Sequence, residues 1–186
     1  MRIIGGYLKG KKISFVNNDI TRPLRNFVKE NIFNLISHSK FVNVKIEKSN
    51  ILDLYSGIGS FGLECISREA NNVTFVEQDK NTLAYLLKNF EQLKIENKIN
   101  LHSIKVSKFI EQNSKNKYDI IFFDPPYSKM EYINDIKLLN DLKMYNKNHL
   151  IIIHRERGNL EKIDNFLNIK LIKEYGRSKI IFGVFG

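Results

Sequence analysis

From residue 50 onward the chain alternates short apolar runs with longer stretches in which apolar residues return at helical spacing. The runs Ile51–Tyr55, Val73–Glu77, Ile99–His102, Ile120–Phe123, Leu150–His154, Ile169–Glu174 and Lys179–Phe185 predict strands. The stretches near 60–69, 80–93, 105–112, 130–144 and 159–167 predict helices. Near-continuous apolar strands separated by helices belong to a mainly parallel sheet with helices on both faces. Gly176, Arg177 and Ser178 leave no room for a helix between the last two runs, so these pair as a hairpin and the final strand runs antiparallel. The expected α/β fold is therefore a seven-stranded, mainly parallel sheet ending in an antiparallel hairpin.

The pattern ahead of residue 50 is different. Arg2–Ile4 and Lys11–Phe15 read as two short strands, with Gly5, Gly6 and Gly10 as turn formers between them. Thr21 is placed to cap a helix with Pro23 in its first turn, and Leu24, Val28, Ile32, Leu35 and Ile36 then recur at helical spacing beside Phe27. Two regions are expected: a basic hairpin and helix over residues 1–49, and an α/β domain over 50–186.

Composition narrows the class. At 186 residues, with 42% hydrophobic and 27% charged, the chain can bury a core without disulfide or metal staples. Its single cysteine, Cys65, excludes an internal disulfide framework and reads as a small core residue. His38, His102, His149 and His154 show no ligand spacing, and no metal site is expected. No apolar run approaches the ~20 residues that span a bilayer, and the start lacks the apolar stretch of a signal peptide. Cytoplasmic residence is the expectation.

Charge adds a partner. Thirty Lys and Arg against twenty Asp and Glu give +10. Residues 1–50 alone hold ten of the basic residues and three acids, a net +7. Such clustering suits a phosphate backbone, and Arg2, Lys9, Lys11, Lys12, Arg22, Arg25 and Lys29 are the candidates to meet it. A solvated lysine-rich surface would carry the same count, so charge by itself leaves the partner open.

Two motifs carry chemistry. In Asp53-Leu54-Tyr55-Ser56-Gly57-Ile58-Gly59-Ser60-Phe61-Gly62, a strand runs straight into a helix, and Gly57, Gly59 and Gly62 fit the G-x-G-x-x-G spacing. Glu77, ending the next strand, suits a ribose diol. That spacing serves a dinucleotide or S-adenosylmethionine. Asp53 favours the latter, because a carboxylate inside the first strand suits a cationic amine and repels a pyrophosphate. Asp53, Tyr55, Ser56, Gly57, Gly59, Glu77 and Gln78 are the candidate cofactor residues.

The second motif, Asp124-Pro125-Pro126-Tyr127, ends the fourth strand. Two prolines remove two backbone donors and leave carbonyls available. An exocyclic amino nitrogen on a base is a poor nucleophile because its lone pair is conjugated into the ring. A carboxylate and a proline carbonyl accepting its N–H groups favour tetrahedral nitrogen as a methyl group arrives, and Tyr127 can stack on the base. Asp124, Pro125 and Tyr127 are the candidate catalytic residues.

Four blocks resemble the bacterial 16S ribosomal RNA guanine-N2 methyltransferases, the small-subunit methyltransferase D type. They are Arg2–Gly6 with Gly10-Lys11-Lys12, Thr21-Arg22-Pro23 leading to Val28-Lys29-Glu30 and Phe33-Asn34, Asp53–Glu64, and Phe123–Tyr127. The second block departs from the family pattern at Leu24, Arg25, Asn26 and Phe27. The resemblance implies a Rossmann-like class I methyltransferase with a small basic N-terminal extension. It implies S-adenosylmethionine as cofactor and one guanine N2 in 16S rRNA as target, on an assembling 30S subunit; a monomer with no membrane partner is the further expectation. Three competing readings are an adenine-N6 methyltransferase acting on RNA or DNA, an NAD-dependent oxidoreductase, and a non-catalytic RNA-binding module.

Overall fold

The computed structural model describes residues 1–15, 26–126, 130–158 and 163–186. One seven-stranded sheet organises them: β1 Asn50–Leu54, β2 Asn72–Val76, β3 Ile99–His102, β4 Tyr118–Phe123, β5 Tyr145–Glu156, β6 Asn168–Tyr175 and β7 Ser178–Val184. The spatial order is β3-β2-β1-β4-β5-β7-β6. The first five strands are parallel, and β7 runs antiparallel to both β5 and β6. The hairpin forms where expected. Tyr175 pairs with Ser178, and Gly176, at φ 59°, takes the left-handed conformation that a two-residue turn needs.

Helices α1 Asn26–His38, α2 Ser60–Ser67, α3 Lys80–Leu93, α4 Val106–Gln112 and α5 Tyr132–Asp141 cover the sheet. Strand periodicity divides the core. Ile51, Phe75, Ile120, Phe122 and Ile152 face one cluster with α1, α2 and α3, whereas Leu52, Leu54, Ile121, Phe123 and Ile153 face the other with α4 and α5. On the first face Phe33, Phe61 and Phe122 stack in series, at centroid separations of 5.3 and 4.2 Å, and tie α1 and α2 to β4.

Three expectations are corrected. Arg2–Ile4 and Lys11–Phe15 do not form strands; an isolated antiparallel bridge joins Arg2 to Lys12. The intervening amides bind α2 instead of a ladder: Ile4 and Gly5 donate to the Glu64 carboxylate at 2.9 and 2.7 Å, and Tyr7 and Leu8 to the Ser67 carbonyl and hydroxyl, both at 2.9 Å. Gly6 is required there, since a Cβ would stand 1.8 Å from the Ser67 carbonyl oxygen. The expected helix over 159–167 appears in its described part, 163–167, as a single turn closed by Leu167 N–H on the Ile163 carbonyl, with buried Ile163 and Leu167 anchoring it before β6 begins; residues 159–162 lie outside the described residues. Finally, β5 starts five residues before the apolar run, because polar Asn146 donates to Asp119 at 2.7 Å and extends the pairing with β4.

Candidate active site

The carboxyl ends of β1, β2 and β4 converge on one rim, the position where open α/β sheets take ligands. Each contributes an acid. Asp53 on β1 is 1% exposed, and its Oδ2 accepts the Gly62 amide at 2.9 Å while Oδ1 has no partner among the described residues. Gly62 must be glycine for this contact, because a Cβ would lie 2.3 Å from the Phe75 ring and 2.9 Å from that carboxylate oxygen. Burial pushes the Asp53 carboxyl well above its ordinary value, and the nearby Asp124 and Glu77 charges push it further. A buried carboxylate with an orphaned oxygen suits a cationic group.

Glu77 follows β2. Its two oxygens accept the amides of Gly57 and Asp79, both at 2.8 Å, and burial raises its pKa against those hydrogen bonds. The loop is thereby closed over the strand ends, with Gly57 at φ 56° and Gly59 at φ 82°. Asp79 also caps α3 by accepting the Thr82 amide at 2.8 Å. Ser56 is buried with its amide on the Val76 carbonyl at 3.1 Å, and Gln78 is exposed. Tyr55 takes φ 57°, unusual for a residue with a side chain, and its hydroxyl donates to Asp135 of α5. Burial, and then Asp135, raise the Tyr55 pKa; burial raises that of Asp135.

Asp124 continues the β1–β4 pairing through its amide on the Leu54 carbonyl at 3.2 Å. Its side chain is 26% exposed and accepts a hydrogen bond from His154 Nδ1 at 2.8 Å. The adjoining Pro125 and Pro126 carbonyls both receive Arg155 Nη1, at 3.2 and 3.1 Å. Arg155 is fully buried, with its guanidinium 4.5 Å above the Tyr132 ring. Part of the acceptor capacity expected of Pro125 is thus taken by a side chain from the next strand. Tyr127 lies outside the described residues.

The basic candidates separate. Arg2, Lys9, Lys11 and Lys12 are exposed on the N-terminal segment, while Arg22 and Arg25 lie outside the described residues. Lys29 needs a correction. It is fully buried, pairs with fully buried Glu64 at 3.3 Å, and donates to the Arg2 carbonyl at 2.9 Å, so it cannot face RNA. Beside the exposed lysines, Lys12, Ser14, Phe15, Tyr85 and Lys88 line a cleft of about 480 Å³.

Residue-type reasoning missed His154, Arg155, Tyr132 and Asp135. A signal existed: Leu150–Ile153 is wholly apolar and is followed at once by His154-Arg155, whose buried polar groups must find partners at the strand end.

The strand order, the antiparallel β7 and the acids on the rim define a class I methyltransferase fold. The profile of the family described as conserved hypothetical protein 95 matches residues 1–184. Ribosomal RNA small subunit methyltransferase D of Buchnera aphidicola (subspecies Acyrthosiphon pisum) is 37% identical over 155 residues, spanning 83% of this chain and 78% of that protein. The Escherichia coli protein of the same name is 31% identical over 159 residues, spanning 86% of this chain and 76% of its own. Among solved structures, yhhF of Escherichia coli, described as a methyltransferase, superposes with a TM-score of 0.82 at 27% identity and covers 98% of this chain and 96% of its own. The chain SMU.776, solved with S-adenosylhomocysteine, shares the fold at a TM-score of 0.64 and 18% identity, and its match covers 84% of this chain and 49% of its own. This chain belongs to the ribosomal RNA small subunit methyltransferase D family, and it is a methyltransferase.

The residues present fit S-adenosylmethionine. Asp53 has a buried carboxylate oxygen without a partner among the described residues, which suits the methionyl amine; Glu77 stands at the end of the next strand, where a carboxylate suits the ribose, and Gly57 and Gly59 take the positive φ values that turn the loop between them. Among the described residues, no helix is long and apolar enough to cross a membrane, and no group of His, Cys, Asp or Glu is arranged to hold a metal ion.

Proposed function

We propose that this chain methylates the exocyclic N2 amino group of a guanine in 16S rRNA, acting as a monomer on an assembling 30S subunit with S-adenosylmethionine as donor. The observation that carries the reading is Asp124, a partly exposed carboxylate on the same rim as the buried Asp53 and the Glu77 loop. Bound there, S-adenosylmethionine supplies an electrophilic methyl group on a sulfonium whose bonding pair returns to sulfur. Asp124 Oδ2, the oxygen not engaged by His154, accepts an amino N–H and takes the proton that the nitrogen releases. The remaining lone pair of the Pro125 carbonyl accepts the second N–H, with Arg155 fixing that carbonyl in place. Tyr127 stacks on the extruded base.

The family's named rRNA relatives support the substrate class. So does the exposed set Arg2, Lys9, Lys11 and Lys12, of which Lys12 lines the cleft where Phe15 and Tyr85 can stack on a base and Lys88 can meet a phosphate. On this reading residues 1–49 are the RNA-binding extension and 50–186 the catalytic domain. Tritium transfer from labelled S-adenosylmethionine to 30S particles and to naked 16S rRNA tests it, with calorimetry of S-adenosylhomocysteine in parallel. Asp124→Ala retains cofactor binding and loses turnover. Absence of label in any RNA overturns the enzyme reading, and an active Asp124→Ala overturns the role of Asp124.

A further inference from the structure

The mechanism leaves unexplained why a histidine stands at the end of an apolar strand. The β4–β5 register runs Phe122 beside Ile152 and Phe123 beside Ile153, which brings Asp124 and His154 together on the same face. His154 is 3% exposed, so Asp124 reaches the rim and the imidazole stays behind it. Nδ1 lies 2.8 Å from Asp124 Oδ1, and Nε2 lies 3.0 Å from the Ser178 hydroxyl at the start of β7. Neutral or cationic, an imidazole nitrogen facing a carboxylate carries the proton, so Nδ1 donates and Oδ1 is taken. The Ser178 contact fixes the ring from its other side. One carboxylate oxygen is thus engaged by His154, itself held by Ser178 of β7, and the other stays available to the rim.

We propose that His154 is a positioning residue for methyl transfer: it anchors Asp124 Oδ1 so that Oδ2 alone is presented to the target amino group. The inference rests on the reading of Asp124 given above. Without the anchor, Asp124 rotates freely at a strand end. Both of its oxygens then sample orientations in which the amino group is not held for reaction. Misplacement of a reacting group by about 1 Å costs on the order of a hundredfold in rate.

Steady-state kinetics on 30S particles test this, with His154→Leu, His154→Asn, Ser178→Ala, Asp124→Ala and the double variant of Asp124→Ala with His154→Leu. His154→Leu is expected to lose roughly 10- to 100-fold in kcat, with KM for cofactor and for particles unchanged. His154→Asn, whose amide nitrogen falls near the Nδ1 position, is expected to recover most of that loss. Ser178→Ala gives a smaller loss, again in kcat alone, and reads the same anchor should His154→Leu fail to fold. The double variant is expected to match Asp124→Ala, since residues acting as one unit are not additive. Wild-type kcat in His154→Leu together with an inactive Asp124→Ala overturns the anchoring role while leaving the reading of Asp124 intact. An active Asp124→Ala overturns that reading itself. Equal losses in His154→Leu and His154→Asn, with S-adenosylhomocysteine binding retained in both, also overturn the anchor.

Discussion

Replacing Lys29 by methionine separates a structural lysine from an RNA-facing one. The Glu64 carboxylate is fully buried and receives four donors: the Ile4 amide at 2.9 Å, the Gly5 amide at 2.7 Å, Arg68 Nε at 3.1 Å and Lys29 Nζ at 3.3 Å. Burial pushes the Lys29 ammonium below its ordinary pKa, and Glu64 holds it up. Methionine preserves the stem and deletes the charge, leaving Glu64 with two amides and an Arg68 that is itself 26% exposed. Removing one partner of a buried pair costs about 3–5 kcal/mol. The surviving donors place this variant at the lower end, near 3 kcal/mol by the same rule. For a chain of this size each kcal/mol moves Tm by roughly 2–4 °C, so thermal unfolding followed by circular dichroism falls by about 6–12 °C on that scale. The salt dependence of rRNA binding, measured below the new Tm, stays at the wild-type slope. An unchanged Tm combined with a flatter salt slope would refute the reasoning and return Lys29 to the RNA interface.

Further outcomes follow from the rim and the basic face. In Asp53→Asn the amide oxygen still accepts from Gly62 and the buried charge is gone; the ligand-free protein becomes more stable at neutral pH. Hydrogen bonds to charged groups contribute about 1.5–3 kcal/mol, so calorimetric affinity for S-adenosylmethionine falls at least about tenfold. The pH sign is fixed by burial. A raised Asp53 pKa means that the folded chain holds more protons than the unfolded one from the usual carboxylate range upward, so wild-type stability falls as pH rises through that window. The advantage of Asp53→Asn therefore disappears in acid; a constant advantage across pH would contradict the burial argument. Gly62→Ala drives a Cβ into the Phe75 ring and costs roughly 1–3 kcal/mol in urea unfolding, whereas a wild-type midpoint would mean that the loop yields freely. Neutralising Lys9, Lys11 and Lys12 together reduces the salt slope of binding to single-stranded rRNA by about 2, at roughly 0.7 per phosphate contact; an intact slope would exclude this face.

Much of the sheet was legible because buried parallel strands are apolar on both faces and interrupt the helical period, as at Ile51–Leu54 and Ile120–Phe123. The hairpin was legible from Gly176. The early start of β5 was not, since Asn146, Lys147 and Asn148 look like loop residues until Asp119 of the neighbouring strand supplies a partner. At the N-terminus, the segment around Gly5 and Gly6 has strand-like composition, but its amides are captured by Glu64 and Ser67 some sixty positions away. The site divides along the same line. Asp53, Glu77 and Asp124 follow from their places at strand ends, which local pattern reveals. His154 and Arg155 acquire meaning through the β4–β5 register, which composition does not encode. Lys29 shows the reverse failure: a sequence displays a charge but not its burial.

The central claim is the identity of the methylated atom. Nucleoside mass spectrometry of 16S rRNA, digested after incubation of 30S particles with enzyme and isotopically labelled S-adenosylmethionine, reads it directly. The account predicts the label in N2-methylguanosine at a single nucleotide, lost with Asp124→Ala. Label in N6-methyladenosine, or in no RNA nucleoside, would contradict it.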